Sequence, residues 1–184
     1  GTHTITFAGT TTNDSTAFID AVALSRPVPM VSDSGFENAQ LAPQGVQANP
    51  SGSSWNFYNL GAPSESGLAA NGSTYTVGTP GAPQGGQVVY LKGEGAVSQT
   101  IDGWQAGTYA ISFKAAHRNT SSSVNQSIWL RVDGTLVGSF LPGGSGYETF
   151  VTNPFEVLAG HHTIAFLGMG PSTDGMSFMD DVEI

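Results

Sequence analysis

Short runs in which apolar and polar residues alternate cover much of the chain, and turn residues separate them. A period of two is typical of β-strands that bury one face. No segment has the pattern of a helix of three turns. The alternating runs lie at residues 4–8, 87–91, 108–115, 126–132, 136–141, 150–157 and 162–167. We therefore predict an all-β protein, specifically an antiparallel β-sandwich of jelly-roll type.

The strongest turn signal in the chain is Asp133-Gly134, which lies between two apolar runs. This dipeptide supplies the positive φ angles that a two-residue hairpin turn requires. Residues 38–86, by contrast, are rich in proline and glycine and read as loops. Long loops on a β scaffold are where binding residues usually lie.

Alternation assigns the side chains of the run 127–132 to two faces. It predicts that Ile128, Leu130 and Val132 point inward and that Trp129 and Arg131 point outward. An outward tryptophan beside an arginine is unusual in a chain with only 10% charged residues. Three explanations remain open: contact with a ligand, packing between modules, and incidental exposure. The pair is the main sequence indication of a binding face.

The beginning of the chain repeats its end. Residues 1–9 match residues 160–168 at six of nine positions, and residues 18–24 align with residues 178–184. The offset of 159–160 residues is one domain length. Such self-similarity is typical of tandem arrays.

We therefore predict that residues 1–24 are the closing hairpin of a preceding repeat and that residues 25–29 form a linker. Residues 30–184 would then form a complete module. A lone hairpin is marginal in water, so its apolar side chains need a partner. The partner could be the complete module, an added position in its sheets, or a neighbouring copy that accepts donated strands.

Composition excludes several classes of function. The net charge is −9 with only five basic residues, which excludes nucleic acid and anionic membrane surfaces as partners. No apolar run is long enough to insert into a membrane. The chain has no cysteine and is rich in Gly, Ser and Thr. This profile favours a secreted or cell-surface bacterial protein.

Two segments at opposite ends of the predicted module resemble the opening and closing strands of galactose-binding-like β-sandwich carbohydrate-binding modules. They are Asp33-Ser34-Gly35-Phe36-Glu37 and Phe178-Met179-Asp180-Asp181-Val182-Glu183-Ile184. Intervening segments fit the same general pattern, at residues 55–57, 85–91, 98–100 and 107–113. The resemblance implies a non-catalytic module that binds a polysaccharide or another glycan.

The resemblance also implies a structural calcium ion where the first and last strands meet. Glu37 and Asp180 are the carboxylates that it assigns to the ion, with Asp181 as an alternate. Calcium takes several oxygen ligands, so backbone carbonyls would have to complete the set. The alternative is that Glu37 and Asp180 only cap strand ends or accept backbone hydrogen bonds.

Carbohydrates are held by aromatic rings and by polar side chains that reach hydroxyl groups. The candidate ligand-binding residues of this kind are Trp129, Arg131, Tyr90, Gln126, His117, Arg118, Tyr58 and Tyr75. Other aromatic residues fit the core better, since each buries a large area. These are Trp55, Phe57, Trp104 and Tyr109.

Catalysis is not expected. The segment Gly143-Gly144-Ser145-Gly146-Tyr147 lacks the last glycine of a nucleophile elbow. The four histidines do not have the spacing of a zinc site. Two functions remain: glycan binding, and a structural repeat of an extracellular fibre, surface layer or adhesin that strand donation through residues 1–24 assembles.

Overall fold

The computed structural model describes residues 4–10, 16–22, 28–61, 63–118, 126–170 and 175–184. These residues form thirteen β-strands. They contain no helix, and therefore no helix that could cross a membrane. The strands are β1 (Val46–Ala48), β2 (Asn56–Asn59), β3 (Glu65–Ala70), β4 (Gln87–Lys92), β5 (Gly95–Trp104), β6 (Gly107–Tyr109), β7 (Ser112–His117), β8 (Ser127–Val132), β9 (Thr135–Phe140), β10 (Glu148–Val151), β11 (Phe155–Val157), β12 (Gly160–Met169) and β13 (Met176–Glu183).

The strands form two main sheets and one small pair. The six-stranded sheet has the order β1-β3-β4-β13-β7-β10, and the five-stranded sheet has the order β2-β5-β12-β8-β9. Strands β6 and β11 pair separately. Every pairing is antiparallel. The predicted antiparallel β-sandwich is confirmed.

The core between the sheets is built around aromatic side chains. Phe113 of the six-stranded sheet meets Phe140 and Phe166 of the five-stranded sheet, with both pairs of ring centroids 5.1 Å apart. Trp55 closes the core beside Phe36 and is buried. Rings of this size dominate the burial of apolar area in a domain that contains no helix to cover its sheets.

The alternation predicted for β8 is confirmed. Ile128, Leu130 and Val132 are buried, whereas Trp129 and Arg131 are partly exposed. The hairpin after β8 is confirmed as well, because β8 pairs with β9 across a turn at residues 133–134. Both turn residues have positive φ, 49° and 81°, as a two-residue hairpin requires.

Two of the predicted strands are interrupted. The run 108–115 divides into β6 and β7, and the run 150–157 divides into β10 and β11. The two breaks face each other: Ile111 N donates to Thr152 Oγ1, and Thr152 N donates to the Ile111 carbonyl. The paired runs therefore leave the six-stranded sheet together and continue as the small pair β6–β11.

The N-terminal segment differs from its prediction. The run 4–8 forms no strand, and the apolar side chains of its described residues are exposed. The copied pair is also not a hairpin, because β12 lies in one sheet and β13 in the other. Residues 1–3, 11–15 and 23–27, which include most of the predicted linker, lie outside the described part of the chain.

We expect Phe113→Ala to lower the free energy of unfolding by about 3–5 kcal/mol, because it leaves a cavity among three aromatic rings. Denaturant titration measures this change. Val151→Ala on the edge strand β10 is the control, since Val151 is exposed and its truncation creates no cavity. Equal losses in the two variants would show that the core is not centred on Phe113.

Candidate functional site

One row of directly paired residues crosses the outer face of the five-stranded sheet. It runs through Tyr58 on β2, Ala96 on β5, Leu167 on β12 and Trp129 on β8. Directly paired residues share a face, so the two rings stand on the same side of the sheet. With strands about 4.8 Å apart, the backbone positions of Tyr58 and Trp129 are about 14 Å apart, and the Tyr58 hydroxyl reaches Ser98 on β5.

A second row lies beside the first, two residues along each strand. It runs through Asn56, Ser98, Ala165 and Arg131. Ala96, Ser98 and Ala165 are small, whereas Leu167, which lies on β12 beside Trp129, is large and buried. We call this strip of the outer face, with an aromatic residue at each end and polar groups along one side, the groove.

The two ends of the groove are held by different contacts. At one end, the Arg131 guanidinium lies over the Trp129 ring, 5.6 Å from its centroid. Arg131 also donates to the Gly134 carbonyl of the hairpin turn at 3.3 Å. At the other end, Tyr58 is hydrogen-bonded to Ser98, and burial raises the pKa of Tyr58. Both rings are thus positioned before any ligand arrives.

Three other candidates lie on the opposite side of the sandwich. Tyr90 is buried on the outer face of the six-stranded sheet, where its hydroxyl donates to Glu65 at 2.6 Å. Tyr75 packs edge-on against Tyr90, with centroids 5.1 Å apart, and Arg118 lies over the Tyr75 ring. These contacts form a second small core under residues 71–86, so Tyr90 is not available to a ligand.

Gln126 and His117 are also buried. The Gln126 amide donates to the carbonyls of Leu91 and Gly93, and its side chain fills the space that a Cβ at Gly168 would need. His117 ends β7, where its backbone N–H donates to the Gly144 carbonyl. Burial removes both side chains from the binding surface that the sequence predicted for them.

The predicted metal residues surround one buried carboxylate. Asp180 is fully buried and accepts hydrogen bonds from the backbone N–H groups of Gln84 and Asp181. Burial raises the pKa of Asp180 to about 7, and the negative charges of Asp181 and Glu37 act in the same direction. Glu37 accepts from two backbone N–H groups of the neighbouring loop, at residues 86 and 87.

Asp181 has a different partner. Its carboxylate forms an ion pair with Lys114 at 2.8 Å on the surface. In the described residues, no three acidic, histidine or cysteine side chains lie together in a way that could hold a metal ion. A cation beside Asp180 would therefore have two carboxylates, those of Glu37 and Asp180, and would need backbone carbonyls for its other ligands.

Comparison with solved structures finds the same architecture in proteins of two kinds. A cyclase from Fischerella sp. TAU superposes with a TM-score of 0.63 at 17% identity, over 84% of this chain and 94% of that chain. The module TmCBM61, in complex with β-1,4-galactotriose, superposes with a TM-score of 0.56 at 16% identity, over 84% and 96%. The chain has the β-sandwich fold of carbohydrate-binding modules.

A Stig cyclase from Fischerella sp. TAU, in complex with an indole compound, has the same sandwich, with a TM-score of 0.60 at 17% identity over 84% of this chain and 95% of that chain. No protein-family model and no curated protein sequence matches the chain. At these identities the likeness concerns the fold, and the fold is shared by proteins with different activities. The function therefore has to be argued from the groove and the buried carboxylate.

Sequence reasoning found both ends of the groove but not its floor. Ala96, Ser98 and Ala165 have no binding signal of their own, and they matter only because they lie in the two rows that contain Tyr58 and Trp129. Their positions follow from the pairing of β5 with β2 and β12, which alternation along one strand does not reveal. The only usable signal was the small size of alternate residues in the apolar runs.

A second concavity lies at the β8–β9 turn, where His162 is held between two acceptors. Its Nδ1 lies 2.5 Å from Asp133 Oδ2 and its Nε2 lies 2.9 Å from the Leu158 carbonyl. The hydrogen bond with Asp133 raises the pKa of His162, and the bond with Leu158 adds to this. The imidazole thus ties the β11–β12 turn to the hairpin.

We expect the stability of the protein to fall as the pH rises from about 4.5 to 6. Folded Asp180 keeps its proton up to about pH 7, whereas the unfolded residue loses it near pH 4, so the folded state binds more protons in this range. Full ionisation would cost up to about 4 kcal/mol. Chemical denaturation at several pH values measures the slope.

The matched variants are Asp180→Asn and Asp181→Asn. The first removes the buried titrating group, so its slope should be flat over this range. The second removes a surface ion pair worth less than about 1 kcal/mol and should keep the slope. An unchanged slope in Asp180→Asn would show that another group causes it.

Proposed function

We propose that this protein is a non-catalytic module that binds a glycan in the groove on the outer face of its five-stranded sheet. The observation that supports the proposal most directly is the pair of partly exposed rings, Tyr58 and Trp129, on one face of the sheet. A solved structure with this fold has a galactotriose bound. That likeness supports the class of ligand and leaves the sugar open.

The groove has the chemistry that sugar chains need. The faces of pyranose rings carry C–H groups that pack against aromatic rings, while their hydroxyl groups point outward to polar side chains. Arg131 lies over the Trp129 ring and restrains its orientation, and Asn56 and Ser98 supply amide and hydroxyl groups.

The same features argue against an enzyme. Asp180 has a pKa of about 7, a value that suits a general acid at neutral pH. Its carboxyl group is fully buried, so a substrate has no path to it. The likeness to the cyclases concerns the fold alone. Because only 10% of its residues are charged and none is cysteine, we propose that the module lies outside the cell, attached to or released from a bacterial surface.

We expect Trp129→Ala to abolish retention on an insoluble polysaccharide or in a glycan-containing gel, because the sugar loses its stacking surface. The measurement is affinity electrophoresis across a panel of glycans, followed by calorimetry on the best ligand. Stacking of a nucleic-acid base on an aromatic side chain contributes about 1–3 kcal/mol. A similar loss for a sugar would lower the affinity by about 5- to 150-fold.

Tyr75→Ala is the matched control, because Tyr75 is an aromatic residue on the opposite face of the sandwich. Retention of this variant should be unchanged. Loss of binding in Tyr75→Ala with normal binding in Trp129→Ala would move the site to the other face. Ordinary migration of the parent protein with every glycan would contradict the proposal itself.

We further propose that a calcium ion binds beside Asp180. The fit rests on the burial of this carboxylate without a basic side chain among its hydrogen-bond partners, and on the proximity of the Glu37 charge that raises its pKa. A cation would neutralise the negative charges of both carboxylates and would hold the loop before β4 against β13. Its role would be structural, since the groove lies on the other sheet.

We expect calcium to raise the midpoint of thermal unfolding, and to do so more at pH 8 than at pH 5, because the ion binds the ionised carboxylate. At a calcium concentration of 100 times the dissociation constant, the gain is about 2.7 kcal/mol. Scanning calorimetry with calcium and with a chelator measures it. Asp180→Asn should lose the effect and Asp181→Asn should keep it; an equal response in both variants would exclude Asp180 as a ligand.

A further inference from the structure

We propose that residues 4–10 and 16–22 are a second copy of β12 and β13 that folds into the position of these strands in a module of this same fold. The proposal does not depend on glycan binding. It rests on four observations: the residues that the copy retains, the local geometry that it adopts, the position of β12 and β13 in the sheets, and the place where the module begins.

The first half of the copy keeps the buried residues of β12. Ile5 and Phe7 correspond to Ile164 and Phe166, which are fully buried between the sheets. In the copy the same side chains are 51% and 57% exposed. Two large apolar side chains that alternate in the pattern of an inner strand face are thus present without a core.

The second half keeps the buried residues of β13. Phe18 and Val22 correspond to Phe178 and Val182, which are 0% and 1% exposed in the module. In the copy Phe18 is 94% exposed. The two halves therefore have the apolar pattern of two strands that belong to opposite sheets, and neither half is covered by the described residues.

The copy also has the local backbone geometry of β13. Asp181 has a φ of 54° and donates its N–H to Asp180 Oδ1 at 2.8 Å, at the bulge in β13. Ala21 has a φ of 51° and donates its N–H to Asp20 Oδ1 at 2.7 Å. Positive φ is costly for a residue with a Cβ, so it is usually maintained by surrounding structure.

In the module, that surrounding structure is present. The residue after the bulge, Val182, donates its N–H to the Ser34 carbonyl, which ties β13 to the opening segment. No hydrogen bond between described residues gives Val22 a corresponding partner. Among the described residues, the copy thus has the local geometry of the β13 bulge without the contact that accompanies it in the module.

The position of the original strands defines the partner. Strand β12 lies between β5 and β8, and β13 lies between β4 and β7. Both are interior strands, and each needs a neighbour on both edges as well as a core on one face. Addition to an exposed sheet edge would satisfy one edge only. The partner must therefore supply four strands of this same sandwich.

The chain geometry allows this exchange. Residues 28–31 line the same surface pocket as residues 182–184, so the module begins beside the place where β13 ends. A copy that ends at residue 22 in the β13 position would have six residues to reach residue 28, up to about 20 Å of extended chain. Residues 4–22 can accordingly complete either their own sandwich or that of a neighbouring molecule, as in domain swapping.

The test uses the full 184-residue chain with either copy disabled. In Phe166→Asp/Phe178→Asp, two charges disrupt the C-terminal strands, and we expect residues 4–22 to replace them and to preserve cooperative unfolding and the near-ultraviolet circular dichroism. Phe7→Asp/Phe18→Asp should leave the unfolding midpoint unchanged, because these side chains are exposed. The variant with all four substitutions should be unfolded.

Size-exclusion chromatography then identifies the recipient. A folded monomer of Phe166→Asp/Phe178→Asp would show that the copy completes its own sandwich, and a folded dimer or larger species would show exchange between molecules. Either result supports the proposal. It is overturned if Phe166→Asp/Phe178→Asp is as unfolded as the variant with all four substitutions.

Discussion

The fold depends on one constraint: the last two strands of the chain provide an interior strand to each sheet. Strand β12 joins the two halves of the five-stranded sheet, and β13 joins the two halves of the six-stranded sheet. Without them, each sheet is left as two separate groups of strands. The sandwich therefore closes only when the C-terminal segment arrives, and every surface feature built across a sheet depends on that step.

The groove illustrates this dependence. Tyr58 is on β2 and Trp129 is on β8, and nothing but β5 and β12 connects these strands. The spacing of the two residues along the sheet is thus set by the two strands between them, which present Ala96 and Leu167 on this face. Arg131 lies over the Trp129 ring and restrains its orientation.

Alternation along single strands predicted the sandwich, the inner and outer faces of β8 and the Asp133-Gly134 turn, since these features are local. It did not predict the breaks at residues 110–111 and 152–154, because each break is stabilised by the opposite strand and not by its own sequence. Tyr90 and Gln126 were candidates for ligand binding by residue type, and both are buried. Tyr90 does lie on the outer face of its sheet, but the loop of residues 71–86 covers that face.

The repeat at the beginning of the chain was visible in the sequence. The kind of partner that it needs became clear only from the positions of β12 and β13 in the sheets. Similar segments at the two ends suggested a closing hairpin, in which the two strands would pair with each other. The structure instead places the copied strands in different sheets, where each depends on two neighbours. That difference changes the expected partner from an exposed edge to an entire sandwich that lacks its middle strands.

The shared pocket of residues 28–31 and 182–184 has a consequence for engineering. A domain whose two ends lie side by side can be inserted into a surface loop of a host protein without forcing the two ends of that loop apart. The groove faces away from the six-stranded sheet and does not involve these residues. The sandwich that begins at residue 28 is therefore suited to insertion into a loop of an unrelated enzyme or scaffold.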